Sequence, residues 1–278
     1  MSHIIHTYKG LSHPPHLSRL TSATHTQALV EPLSIPVDND SFVPGFLHLP
    51  PASSPTVPSP KTAAILLSGA GGGVTGPSSI YTSLACKLAV LPGLGIPALR
   101  LDYRFPSRTG PCVKDVLAAM EYLETNHGAE KFLLVGWSFG GSVVLTVAGD
   151  TEEGREKVVG CATVASQTAG TGGMARLAPR PVLLLHGTGD KVLSWRCSEM
   201  LYEMYGEGEG SRKVVWFEGD DHGLRGNAEQ AEAVLLEFVT ACAGARMGDE
   251  AKVRLVDDGE REELMRRGGD LRSPERLE

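Results

Sequence analysis

A chain of 278 residues, 41% hydrophobic and 21% charged, is long enough to bury a core of domain size. A formal net charge of −7 with no basic stripe argues against a nucleic-acid partner. No apolar run approaches the roughly 18 residues of a membrane span, and the five cysteines, far apart and without a C-x-x-C, read as free thiols of a reducing compartment.

The N-terminus lacks a charged segment followed by an apolar one, so no secretory signal is expected and the cytoplasm is the expected location. Residues 1–30 contain no acid, several Ser and Thr, and the bases Lys9 and Arg19, a faint likeness to an organelle transit peptide. Residues 1–29 are polar and hold five of the nine histidines, at spacings that fit no compact ligand set, so a disordered arm is expected. Residues 30–50 read as a β-hairpin turning at Asp38-Asn39-Asp40, and 51–60 as a Pro/Ser-rich loop.

From there strands and helices alternate. Apolar β-forming runs lie at 63–67, 96–101, 131–135, 158–164, 181–185 and 214–217. Helical patterns lie at 79–90, 113–126, 139–149, 194–205 and 228–241, with Val113, Val116, Leu117, Met120 and Leu123 spaced on one face of the second. This order predicts an α/β fold, a mostly parallel sheet with helices on both faces, over residues 30–243. Residues 244–278 mix both charges without an apolar face and read as a mobile tail, with a partner-binding helix as the alternative.

The chemistry begins at Gly136-Trp137-Ser138-Phe139-Gly140, a G-x-S-x-G between a strand and a helix. A serine hydroxyl needs a base to take its proton and a third group to orient that base. In an open α/β sheet such groups sit just after strands. The strand at 181–185 runs into His186-Gly187-Thr188-Gly189-Asp190, and that at 214–217 into Glu218-Gly219-Asp220-Asp221-His222-Gly223. Asp220 and Asp221 adjoin His222 in one loop, whereas an orienting acid reaches the imidazole from another loop, which favours Asp190. His186 lines the site or is packed structurally; His48 and His127 occupy positions unsuited to a general base.

With the order Ser138, Asp190, His222, residues 30–243 resemble the α/β-hydrolase superfamily, and most of all its small, lidless, dienelactone-hydrolase-like serine hydrolases. The resemblance implies Ser138 as nucleophile, His222 as general base and acid, and Asp190 as the residue that orients His222. Dienelactone hydrolases use cysteine as nucleophile, so dienelactone is not implied as substrate. An oxyanion hole needs two N–H groups. By resemblance these are Phe139, after the nucleophile, and Ala70, with Gly71 next, in the loop Ser68-Gly69-Ala70-Gly71-Gly72-Gly73, where Ser68 stands in place of the common histidine. The same loop contains a G-x-G-x-x-G at 71–76, and Asp102 ends the next strand, as in a dinucleotide site. That motif begins two residues late and leaves Ser138, Asp190 and His222 unexplained.

Residues 165–180 are too few for a helical lid, which predicts an open site for a small carboxylic ester or thioester. Met174 could form an apolar wall; Arg104 could hold an anionic group, with a surface salt bridge as the alternative, and Tyr81 could contact a leaving group, with packing as the alternative. No cofactor, metal, nucleic acid or membrane is called for; the partner is a small acyl substrate. The reading from another class is a non-catalytic α/β-hydrolase-fold scaffold that uses its charged tail as a contact.

Overall fold

The computed structural model describes residues 28–51, 61–104, 107–206, 210–245 and 247. The expected N-terminal arm and charged tail lie almost wholly outside them, as does the Pro/Ser-rich stretch at 52–60. Strands β1 (Leu29–Asp38) and β2 (Ser41–Leu49) form the hairpin. Six more follow: β3 (Thr62–Leu67), β4 (Ala98–Leu101), β5 (Lys131–Trp137), β6 (Val158–Val164), β7 (Val182–Gly187) and β8 (Arg212–Phe217). They make one sheet in the order β1-β2-β4-β3-β5-β6-β7-β8. β2 pairs antiparallel with β1 and β4, and every pairing from β4 to β8 is parallel.

The continuous apolar runs are explained by burial on both faces. In β3, Ala63, Ile65 and Leu67 pack on one side, and Ala64 and Leu66 on the other. The first face is covered by α2 (Thr109–His127), α3 (Phe139–Asp150) and α5 (Arg196–Met204), the second by α1 (Ile80–Ala89) and α6 (Ala228–Cys242). Helix α2 starts four residues earlier than its apolar spacing predicts. Pro111 falls in its first turn, where no intrahelical N–H is required. A short helix, α4 (Glu152–Lys157), was not expected; Thr151 caps it by accepting from Gly154 N at 3.0 Å. All five cysteines are free thiols, and Cys86, Cys112 and Cys161 are buried. No helix among the described residues is long and apolar enough to cross a membrane.

Candidate active site

Strand β5 runs through Gly136 and Trp137, and α3 begins at Phe139, so Ser138 is the whole turn between them. Its backbone is at φ 55, ψ −118, a conformation disfavoured for a side chain with a Cβ. The turn closes because its flanks are glycine. A Cβ at Gly136 would lie 2.3 Å from the Gly140 carbonyl oxygen, and one at Gly140 would lie 2.4 Å from that of Ser68. Strand, turn and helix thus approach more closely than any other residue allows.

His222 follows β8, and its Nδ1 lies 2.7 Å from Asp190 Oδ2. The carboxylate can only accept, so Nδ1 carries a proton, and in the neutral ring the lone pair falls on Nε2. Nε2 has no hydrogen-bond partner among the described residues, and the ring is 15% exposed. It lies against the indole of Trp137, with ring centroids 5.5 Å apart, and Trp137 Nε1 donates to the His222 carbonyl at 2.9 Å. The residue before the serine therefore fixes the backbone of the histidine.

The Asp190 side chain is buried, in the turn after β7. Its Oδ1 accepts from the backbone N–H groups of Val192 (2.7 Å) and Leu193 (3.0 Å). Burial by itself would raise its pKa, but the bonds from His222, Leu193 and Val192 outweigh it and hold the carboxyl below its usual range. Oδ2 has a second imidazole neighbour, His186 Nε2, at 3.1 Å. That nitrogen also faces the Leu193 carbonyl at 3.1 Å; with two acceptors it must be the protonated one, so His186 Nδ1 accepts from Ser198 Oγ at 2.7 Å. Burial lowers the pKa of His186 and keeps it neutral.

The Gly-rich loop after β3 reaches the serine: a Cβ built on Gly69 would lie 3.3 Å from Ser138 Cβ. The Ala70 and Phe139 N–H groups make no hydrogen bond among the described residues. Ser68, where the resemblance led to a histidine, ties the loop by accepting from Gly76 N at 3.2 Å. Tyr103 Oη lies 2.8 Å from the Ser68 carbonyl and also hydrogen-bonds the Gly69 carbonyl. In a trans peptide C=O and N–H point opposite ways, so a bond to the Gly69 carbonyl aims the Ala70 N–H away from Tyr103.

No family model matches the chain. The esterase Est1E from Butyrivibrio proteoclasticus superposes with a TM-score of 0.61 at 16% identity, covering 77% of this chain and 99% of that one. XC6422 from Xanthomonas campestris, described as an α/β serine hydrolase without a lid, superposes at 0.55 and 16% identity, covering 77% and 94%. The chain has the lidless α/β-hydrolase fold. In sequence it is 28% identical over 167 residues to YfhR of Salmonella typhi, an uncharacterized protein, across 47% of this chain; the chain spans about half (56%) of that relative's length.

This fold brings Ser138, Asp190, His222, Phe139 and the Ala70–Gly71 peptide to the C-terminal ends of the parallel strands, and it corrects three expected substrate contacts. Tyr81 is fully buried, with its ring beneath Gly76. Met174 is fully buried in the core, in a short 3-10 turn (Gly172–Arg176) between β6 and β7. Arg104 is engaged elsewhere: its Nε lies 2.6 Å from Asp115 Oδ1 and its Nη1 2.9 Å from Asp38 Oδ2. Asp102 is buried and accepts from Gly73 N at 2.9 Å, so it braces the glycine loop instead of facing a ribose. Asp220 accepts from Gly226 N, Asp221 N and Asn227 Nδ2, holding the loop that carries His222. Beside His222 a cavity of about 750 Å³ opens, bordered by Gly76, Ser78, Trp137, Lys191 and Arg225.

Proposed function

We propose that the protein is a serine hydrolase that cleaves a small carboxylic ester or thioester through an acyl-enzyme on Ser138. The observation that carries this reading is the His222 Nδ1 to Asp190 Oδ2 bond of 2.7 Å, which leaves Nε2 of a neutral imidazole as a base at the serine turn. Ser138 Oγ gives its proton to Nε2 as it attacks the carbonyl. The N–H groups of Phe139 and Ala70 receive the developing oxyanion. His222 then returns the proton to the leaving alcohol or thiol; water, giving a proton to His222, attacks the acyl carbon, and His222 passes that proton to Ser138 Oγ as the acid departs. Est1E has been solved with ferulic acid and an esterase from Thermogutta terrifontis with propionate; small acyl compounds of this kind are the class proposed here.

The test is a fluorophosphonate probe on folded protein, with a p-nitrophenyl ester series from acetate to octanoate to size the acyl pocket. Labelling at Ser138 is expected, and Ser138→Ala should abolish it and lower ester turnover by about 10³-fold or more. An unlabelled protein beside a labelled control enzyme, or full turnover in Ser138→Ala, would overturn the reading and leave the scaffold alternative standing.

A further inference from the structure

The two edges of the sheet are β1 and β8, and they are built differently. An edge strand offers unpaired main-chain groups to any further strand, and native proteins blunt it with proline, charge or bulges. β1 carries Pro32 and Pro36, which have no N–H to give. β8 has no proline, and its register with β7 runs from Arg212 to Phe217 without a bulge. Val182 N donates to the Ser211 carbonyl and Thr188 N to that of Phe217. By the alternation of a parallel ladder, the odd-numbered residues of β8 bond to β7, and Arg212, Val214 and Trp216 turn their N–H and C=O groups outward. Among the described residues no turn, loop or cap main-chain bond reaches those three.

The side chains at this edge mix charge at Arg212, Lys213 and Glu218 with exposed apolar groups. Of the five large hydrophobic side chains exposed among the described residues, Val192 (69%), Met200 (45%) and Trp216 (38%) stand on β8, on α5 and on the loop leading into α5. Trp216 meets Trp195 edge to face at 5.4 Å. An open ladder beside an apolar strip fits another strand better than it fits water.

We propose that β8 pairs antiparallel with β8 of a second copy of this chain, joining the two sheets into one. Outward-turned residues must meet outward-turned residues, and a two-fold axis at Val215 satisfies this. It sets Val214 against Trp216 of the second copy. It also sets Arg212 against Glu218, so opposite charges meet twice by symmetry. The Arg212 guanidinium already stacks 4.3 Å from the Tyr202 ring centroid, which holds it on the α5 face of the strand.

Sedimentation equilibrium of the full chain between about 1 and 100 µM tests this, with amide exchange at Val214 and Trp216 as a second readout. The expected result is a species of twice the 29.5 kDa chain mass, with slow exchange at both amides. Val214→Pro removes an outward N–H and no bond to β7, so the strand tolerates it, and association should weaken at least about tenfold. Trp216→Lys leaves the main chain intact and should weaken association too. A single-chain mass with fast exchange overturns the proposal, and so does a two-chain mass that neither variant disturbs. Slow exchange in a single-chain species overturns it as well, by placing one of the chain's own terminal segments on β8.

Discussion

Tyr103 reaches the candidate site through two main-chain carbonyls and one ring contact. Its hydroxyl holds the Ser68 and Gly69 carbonyls, and its ring meets Phe139 edge to face at 5.6 Å. One side chain therefore touches both residues whose peptide planes set the proposed oxyanion donors. Tyr103→Phe keeps the ring contact and releases the carbonyls. Ester turnover should fall by about 10-fold to 100-fold, less than deletion of an oxyanion donor costs, because the N–H remains and only its aim is lost. KM should change little and the melting temperature should hold; steady-state kinetics with a thermal scan separates this from unfolding. No pattern in the sequence marks this tyrosine, because its partners are carbonyl oxygens that every residue has.

The turn from β7 into α5 concentrates charge chemistry in a few residues. Asp190 and His186 share it, and both have lowered pKa values, from different causes. A buried neutral His186 binds fewer protons than its unfolded counterpart, so its contribution to stability is lost as pH falls below the ordinary histidine value of about 6.5. Asp190, held ionised by its donors, contributes above the ordinary carboxyl value of about 3.9, and that contribution goes as pH falls through its lowered value. Denaturant titrations should therefore show stability falling on acidification, first below about pH 6.5 and again below about pH 4; His186→Gln should flatten the first slope and leave the second. Most elements of the fold were legible in the sequence because strands buried on both faces read as unbroken apolar runs, and the pairing of Asp190 with His222 was legible because both follow strand ends. Helix α4 was not, since six mostly charged residues carry no apolar face. Tyr81, Met174 and Arg104 were misjudged as substrate contacts because burial and long-range partners, such as Asp115 and Asp38 for Arg104, leave no local signal.

Across the whole molecule, α1 and α6 are tied by a buried ion pair between Lys87 Nζ and Glu232 Oε2 at 3.2 Å, both side chains 1% exposed, with Ser83 also bonded to Glu232. The pair joins segments 145 residues apart in sequence. Lys87→Met alone strands a buried carboxylate and should cost about 3–5 kcal/mol, whereas Lys87→Met with Glu232→Leu should recover most of that loss; chemical denaturation of both variants measures it. The three tryptophans are also distributed in a useful way: Trp137 lies against His222, and Trp195 and Trp216 lie together at β8. Burial shifts indole emission to the blue. The intrinsic fluorescence of this protein thus reports from two places at once: one indole rests on the candidate site, and covering β8 would change the colour of the light from the other pair.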